Sequence, residues 1–152
     1  MIIRVGKTED LEEVFKLQFA LNRYEARLDK LLVINKKSNS AHRNFLKKKI
    51  KNNGIFFVCE ANKKVIGYIF GYIKWLYPAY TIERIGYIAE IFVLEEYRNR
   101  GVGKRLVKEI LRWFKSKNIR YVELDCYISN IATKFWSKLG FRDYMKKYLI
   151  KI

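Results

Sequence analysis

The stretch EYRNRGVGKRL, residues 96 to 106, contains the residue types that bind phosphate. Gly101 and Gly103 stand one residue apart, among the four basic side chains Arg98, Arg100, Lys104 and Arg105. Glycine lets a backbone approach a ligand closely, and the first N–H groups of a helix bind anions. Because an apolar strand pattern precedes the stretch and a helical pattern follows it, the sequence predicts an anion-binding turn between the two.

Glu90 is the second residue whose position indicates chemistry. It is a carboxylate inside the otherwise apolar run IAEIFV. A buried carboxylate is costly unless it is paired or used, and burial raises its pKa toward the range of a general base. We therefore predict Glu90 as a proton acceptor, with Glu83 acting through water as the alternative. A salt bridge or a solvent-facing edge position would be the purely structural explanation for Glu90.

Hydrophobic periodicity defines the elements that must position these residues. Strands are predicted over 2–5, 55–61, 64–75, 81–94, 120–128 and 141–152, and helices over 8–27, 41–52, 102–117 and 129–140. The resulting order is β-α-α-β-β-β-α-β-α-β in one domain, 1–152. It predicts an α/β fold with a mixed, mostly antiparallel central sheet and helices on both faces.

The charge balance is strongly basic, with 32 Lys and Arg against 15 Asp and Glu and a net charge of +17. Residues 36–51 contain seven Lys or Arg and no acid. Such a chain attracts polyanions, so a nucleic-acid or ribosomal partner is an alternative hypothesis. A lysine-rich proteome and an ordinary solvated helix face explain the same charge equally simply.

Other residue types exclude several classes of site. His42 is the only histidine, which leaves little material for a zinc site or a histidine-based triad, and we predict no metal. Cys59 and Cys126 lie in apolar runs and are predicted to be buried thiols. No apolar stretch approaches the roughly 20 residues that span a bilayer, and no signal peptide is recognisable. We predict a cytoplasmic protein without a membrane partner.

Two other phosphate-binding motifs do not fit the glycine turn. A dinucleotide fingerprint requires a small residue where Leu106 stands, and a P-loop requires Ser or Thr where Arg105 stands. The pattern that remains, Arg98-x-x-Gly101-x-Gly103, resembles the pyrophosphate loop of the GNAT superfamily of acyl-CoA-dependent N-acyltransferases. The segment NIATKFWSKLGF is similar to the family's second signature, and VIGYIFGYI is similar to its third strand. The resemblance covers nearly the whole chain.

The resemblance implies transfer of an acetyl group from acetyl-CoA to a primary amine by direct attack. Its acceptor is a small molecule or a peptide, and the protein is a monomer or a homodimer. The main chain of Ile91, Phe92 and Val93 would pair with the pantetheine arm, and an N–H near Val93 would polarise the thioester oxygen. The pyrophosphate would be held by the backbone N–H groups of Arg98, Asn99, Arg100, Gly101, Val102, Gly103 and Lys104.

The chain departs from the family pattern at the expected general acid. Where the family often has Tyr, this sequence has Trp136, whose indole N–H donates a hydrogen bond but supplies no proton. Trp136 is then a cofactor-contacting residue, and Tyr144 or water is the proton donor. Asn130 stands one residue after the family's Asn position and is predicted to hold the pantetheine arm. If no general acid exists, the alternative is a CoA-binding module with little catalysis.

The resemblance also indicates where the acceptor amine binds. The first two helices with their loop, and the turn between the third and fourth strands, build the acceptor site of this fold. In this sequence these are residues 22–36 and 75–84, which contain Tyr24, Glu25, Trp75, Tyr77 and Tyr80.

Overall fold

Five strands and four α-helices follow one another along the chain in the computed structural model, which describes residues 1–152. The strands run in the order β1-β2-β3-β4-β5 across one sheet, and only the β4–β5 pair is parallel. This confirms the predicted fold class. The elements are β1 (Ile2–Val5), α1 (Leu11–Leu28), α2 (Lys36–Asn52), β2 (Gly54–Ala61), β3 (Lys64–Trp75), β4 (Arg84–Val93), α3 (Val102–Ser116), β5 (Val122–Glu123) and α4 (Ala132–Lys138).

The sheet is covered on both faces because the central strands are apolar on both sides. In β2, Phe56 and Val58 pack in one hydrophobic cluster, whereas Phe57 and Cys59 pack in the other. Since successive side chains of a strand point to opposite faces, each strand contributes to two cores. The first core holds the buried residues of α1 and α2, and the second holds those of α3 together with Trp136 of α4.

Helix α2 begins earlier than the sequence pattern predicts. Residues 36–40 were expected to be a loop, but the helix starts at Lys36. The side chain of Asn35 accepts a hydrogen bond from the N–H of Ser38 at 2.9 Å, and the Asn35 N–H donates to Ser38 Oγ at 3.0 Å. This reciprocal cap satisfies two otherwise unpaired backbone donors and fixes the helix start. The extra turn brings the middle of α2 over the sheet.

Strands β4 and β5 pair only over a short distance. Their parallel register joins Gly86 to Val122 and Tyr87 to Glu123, and β5 ends there although β4 continues to Val93. The predicted strand 120–128 is therefore much shorter than expected. From Ile88 to Val93, β4 therefore has no paired strand on the β5 side, and we call this unpaired edge the opening between β4 and β5.

The predicted closing strand, 141–152, is wrong in this structure. From residue 142 onward every residue is exposed, and the segment has no regular secondary structure. Its side chains include Tyr148, which is 86% exposed, and Ile150, which is 82% exposed. The alternating apolar pattern identified a strand, but a strand needs a partner edge, and β5 offers only two paired residues.

Finally, none of the helices combines the length and the apolar composition that crossing a membrane requires.

Candidate functional site

Glu90 lies on β4 with its side chain on the face covered by α1 and α2. The residue is only 8% exposed, and three neighbouring side chains donate hydrogen bonds to its carboxylate. The Gln18 amide of α1 lies 3.1 Å from both oxygens, and the Tyr68 hydroxyl of β3 lies 2.7 Å from Oε2. His42 of α2 places Nε2 2.5 Å from Oε1. Hydrogen bonds from these three side chains thus offset the cost of burying the carboxylate of Glu90.

These contacts use the full accepting capacity of the carboxylate. An ionised carboxylate offers about four lone-pair sites on its two oxygens. Each oxygen of Glu90 receives the Gln18 amide and one further donor, His42 at Oε1 and Tyr68 at Oε2. Burial and the charge of Glu90 raise the pKa of Tyr68 well above its usual value, so its hydroxyl stays a donor. No lone pair of Glu90 is left for a further donor.

His42 connects this buried cluster to the surface. Its side chain is 31% exposed, whereas that of Glu90 is 7% exposed. The hydrogen bond that Nε2 donates to Glu90 raises the pKa of His42 above 6.5, and burial opposes this increase. The second ring nitrogen, Nδ1, lies 3.2 Å from the Asn22 amide nitrogen of α1. His42 therefore bridges Glu90 and the groove between α1 and α2.

A small cavity of about 180 Å³ opens on the outer side of His42. Its polar wall includes Asn22, Glu25 and His42, and its apolar wall is formed by Leu32, Val33 and Ile34. Burial raises the pKa of Glu25, and the charge of Glu90 raises it further. Two carboxylates therefore stand close together in a chain whose net charge is +17. The cavity belongs to the first half of the region predicted for the acceptor.

The second half of that region lies elsewhere on the sheet. Trp75 pairs with Arg84 at the start of β4, and Trp75, Tyr77 and Tyr80 are all more than half exposed. Glu83 immediately precedes β4, and Glu90 lies seven residues further along the chain, at roughly 3.3 Å per strand residue. Glu83 is exposed and contributes nothing to the cluster around Glu90. The structure thus separates the two carboxylates that the sequence offered as alternatives.

Two of the three predicted pantetheine-binding residues, Ile91 and Val93, present main-chain groups on the side of β4 that β5 leaves open. The main-chain groups of Phe92 face β3, where Phe92 pairs with Tyr68, which corrects the prediction for Phe92. The Leu94 N–H donates to the Ile66 carbonyl of β3 at 2.9 Å, so the main-chain groups of residue 94 face β3. Because main-chain groups alternate sides along a strand, those of Ile91 and Val93 face away from β3. On that side β5 has already ended. Their N–H groups are available there, whereas the Val93 carbonyl accepts from Arg98 Nε at 2.9 Å.

The glycine turn has the geometry that its sequence predicts. Gly101 precedes α3 with φ of +76°, a conformation that side chains disfavour. A Cβ placed on Gly101 would have no atom within 4 Å, so the space in front of the helix start is open. Asn99 also adopts a positive φ of 59°. The first N–H groups of α3, from Val102 to Lys104, have no partner within the helix.

Two of the residues that are predicted to bind the pyrophosphate have other structural roles. The Arg98 N–H donates to the Glu95 carbonyl at 3.1 Å, so it is not free for a phosphate, which corrects the prediction for Arg98. A Cβ on Gly103 would lie 3.2 Å from the Phe135 ring. Gly103 therefore permits close packing of α3 against α4. The remaining predicted backbone donors, Asn99 and Arg100, lie in the turn itself.

The predicted residues after β5 are distributed over three environments. Asn130 Oδ1 accepts from the Ala132 N–H at 2.9 Å and from the Tyr24 hydroxyl at 3.3 Å, which leaves only its amide N–H groups free. Trp136 is 7% exposed and packs edge-on against Phe135 and Phe141 in the core. Tyr144 is 80% exposed in the C-terminal segment. The prediction that Trp136 contacts the cofactor conflicts with this burial.

Sequence reasoning missed three members of the Glu90 cluster, which are Gln18, His42 and Tyr68. Gln18 is a polar residue one helical turn after the buried Val14, which is a signal of a buried polar partner. His42 likewise precedes the buried Leu46 by one turn of α2. Tyr68 gave no signal, because a tyrosine in an apolar strand is ordinary.

Comparison with known proteins agrees with this architecture. The model of the acetyltransferase (GNAT) family matches residues 12–141. An uncharacterized N-acetyltransferase of Methanocaldococcus jannaschii is 31% identical over 93% of this chain and 60% of its own length. An N-alpha-acetyltransferase of Sulfurisphaera tokodaii is 35% identical over 58% of this chain and 56% of its own length. The chain therefore matches just over half the length of these relatives.

A solved structure of similar fold holds a cofactor analogue. It is an aminoglycoside N-acetyltransferase in complex with a bisubstrate analogue, CoA-S-monomethyl-acetylneamine. The two structures superpose with a TM-score of 0.78 at 22% identity, over 99% of this chain and 97% of the other. At this identity the likeness establishes the fold.

Proposed function

The chain belongs to the acetyltransferase (GNAT) family, and from this premise we propose that it transfers an acetyl group from acetyl-CoA to a primary amine. The observation that carries the proposal is the position of Glu90. The carboxylate lies one residue before the free main-chain groups of Ile91, and β4 leads directly into the glycine turn. The groove that we propose for the amine and the turn that we propose for the cofactor thus both adjoin the end of β4.

The residues of the opening fit a coenzyme A molecule. No atom lies within 4 Å of a Cβ placed on Gly101, and the first N–H groups of α3 are unpaired donors of the kind that bind phosphate. Arg100 and Lys104 are exposed beside it and add positive charge for the pyrophosphate. The main-chain groups of Ile91 and Val93 can pair with an amide-bearing arm. Bound there, acetyl-CoA would supply the acetyl group as an activated thioester.

Glu90 is the carboxylate whose negative charge we propose drives deprotonation of the acceptor amine, through the groups that are hydrogen-bonded to it. Its negative charge is held next to the proposed acetyl position by Gln18, Tyr68 and His42. A primary amine is protonated at neutral pH and must lose a proton before it can attack. The Val93 N–H is the proposed donor to the thioester oxygen. Tyr144 remains the proposed proton donor to the leaving thiolate, although it is exposed in this structure.

The names of the relatives indicate that the acceptor is an amine, and they differ in the kind of molecule that carries it. One is named an N-alpha-acetyltransferase, and one structural neighbour is an aminoglycoside N-acetyltransferase. Both names indicate an amine, one on a peptide and the other on a small molecule. We propose a primary amine, and the local carboxylates Glu25 and Glu90 favour a cationic one despite the basic surface.

Calorimetric titration with acetyl-CoA, with ATP as a phosphate control, tests the cofactor site. We expect saturable one-to-one binding of acetyl-CoA and little binding of ATP. Equal, salt-sensitive binding of both would mean that the glycine turn is only a basic surface. A panel of peptide and small-molecule amines, with release of CoA thiol as the readout, then tests turnover. Binding without turnover on every amine would favour a CoA-binding module.

A polyanionic partner is the second candidate function, and α2 carries it. Of the basic residues between 36 and 51, six are exposed, which are Lys36, Lys37, Arg43, Lys47, Lys48 and Lys51. A helix face of this kind binds RNA through phosphate contacts, with affinity that falls steeply as salt rises. An RNA shift assay at physiological salt that detects no complex would remove this candidate.

A further inference from the structure

We propose that His42 is the group that takes the proton from the acceptor ammonium, through Nδ1, while Glu90 holds the ring through Nε2. The inference rests on the proposed acetyl transfer and identifies the atom that performs its first step. It assigns a catalytic role to His42 and a positioning role to Glu90.

The first reason for assigning the proton transfer to His42 is that the carboxylate of Glu90 already accepts hydrogen bonds from three side chains. Its oxygens already accept from Gln18, Tyr68 and His42, and the side chain is 7% exposed. A direct proton transfer to Glu90 would require one of these donors to leave, and the exposed donor among them is His42 itself. A substrate that enters from the groove therefore meets the imidazole before it meets the carboxylate.

The tautomer of His42 is the second reason. The Asn22 amide nitrogen is a donor and lies 3.2 Å from Nδ1, so Nδ1 is the acceptor in this arrangement. Nε2 then carries the hydrogen and donates it to Glu90 at 2.5 Å. This carboxylate–imidazole pair keeps one nitrogen protonated and leaves a lone pair on the other. In the resting protein this lone pair accepts the Asn22 amide hydrogen. Asn22 and His42 both line the cavity, so an incoming ammonium would replace the Asn22 amide as the donor to Nδ1.

The surroundings of the cavity favour a positively charged ligand. The titratable groups that face His42 are Glu90 from β4 and Glu25 from α1, and Tyr68 from β3 acts through Glu90. The two carboxylates stabilise an ammonium before the transfer and an imidazolium after it. The apolar wall of Leu32, Val33 and Ile34 suits an acceptor whose amine is attached to an apolar group.

The proton transfer balances without any further reactant. One N–H bond of the ammonium breaks, the proton binds to Nδ1, and the electron pair stays on the nitrogen as the lone pair of the free amine. The resulting imidazolium later releases its proton to water. Asn22 can accommodate both states, because rotation of its amide presents either the nitrogen or the oxygen to Nδ1.

The first test needs no acceptor and no variant. Because His42 is the only histidine, ¹⁵N-histidine NMR of the intact protein reports one ring. We expect the neutral ring to carry its hydrogen on Nε2 and to titrate above pH 6.5. A neutral ring that carries its hydrogen on Nδ1 would overturn the proposal, whatever the fate of the proposed acetyl transfer.

The second test compares His42→Gln with Asn44→Ala, an exposed position on the same helix. We expect His42→Gln to lower kcat/KM by at least roughly 100-fold at neutral pH and to abolish the rise of activity with pH. Acetyl-CoA affinity should be unchanged, and Asn44→Ala should behave as wild type. If His42→Gln keeps the wild-type rate and the wild-type pH profile, His42 is not the proton acceptor. Loss of acetyl-CoA binding by the wild type would instead refute the proposed function.

A third measurement separates catalysis from folding. In His42→Ala, added imidazole should restore activity in proportion to the unprotonated imidazole present, because the free base replaces the missing ring. Absence of rescue in a variant that unfolds at the wild-type temperature and binds acetyl-CoA normally would count against the proposal.

Discussion

Nε2 of His42 lies 2.5 Å from Oε1 of Glu90 and joins the middle of α2 to the far end of β4. The two residues are 48 positions apart in the sequence. Through this contact the buried carboxylate of Glu90 is connected to the partly exposed imidazole ring of His42. The chemistry that we propose for the chain depends on this pair.

Replacement of Glu90 by Gln should lower the pKa of His42. The hydrogen bond that His42 makes to Glu90 is the largest cause of the increase, and the charge of Glu90 adds to it. With both removed, burial lowers the pKa of the ring and only the charge of Glu25 opposes it, so the pKa should fall. NMR titration of the single histidine measures this change, with Glu83→Gln as the control. An unchanged titration in Glu90→Gln would contradict the observed pair.

The stability of the fold should depend on the protonation of His42. A group whose pKa is raised in the folded state contributes stability that is fully present below its unfolded pKa, near 6.5. That contribution is lost as pH rises through the folded value. The Tm of the wild type relative to His42→Gln should therefore fall as pH rises from 6 toward 9. Thermal unfolding across this range checks the sign, and a constant difference would contradict it.

Gly101→Ala should weaken acetyl-CoA binding by at least about tenfold, or 1.4 kcal/mol. The φ of Gly101 is +76°, which an alanine adopts at a cost of about 1–2 kcal/mol. The added methyl group would also enter the space in front of α3.

Gly140→Ala is the matched control for this change, because Gly140 has φ of +90° and equally open space around it. The control should lose similar stability in thermal unfolding and keep its affinity in calorimetry. Equal affinities for the two variants would place the cofactor elsewhere.

Asp10→Asn should destabilise the fold by about 2–3 kcal/mol at neutral pH. Asp10 is 6% exposed and binds Arg4 through two bonds of 2.6 and 2.8 Å. Arg4 lowers the pKa of this carboxyl, so the stabilisation is present above pH 4 and is lost as pH falls through the folded value. Urea unfolding at several pH values measures it. Glu9→Gln, at an exposed neighbour, should change stability by less than about 0.5 kcal/mol.

Substitutions in the C-terminal segment test the missing strand. Tyr148→Asp and Ile150→Asp should each change the unfolding free energy by less than about 0.5 kcal/mol, because both side chains are exposed. Ile110→Ala, at a fully buried position of α3, should cost about 2–5 kcal/mol. A loss above about 2 kcal/mol at Tyr148 or Ile150 would show that the segment pairs with a sheet edge, as its pattern predicts.

The elements whose signals are local could be predicted from the sequence. The apolar alternation of β2 and β3, the helical stripe of α3 and the two glycines of the turn are each read from neighbouring residues, and the fold class and family followed from them. The sequence also singled out Glu90, because an acid in an apolar strand is anomalous without any knowledge of its partners. The glycine turn needed only the rule that left-handed backbone favours glycine.

The partners of Glu90, the burial of Trp136 and the exposure of the C-terminal segment could be known only from the folded protein. Gln18, His42 and Tyr68 come from three elements, and no short-range pattern indicates that their donors converge on one carboxylate. Burial of Trp136 and exposure of residues 142–152 likewise depend on which surfaces meet. Local propensity acts over a few residues, whereas packing and charge pairing act between elements that the chain brings together only after it folds.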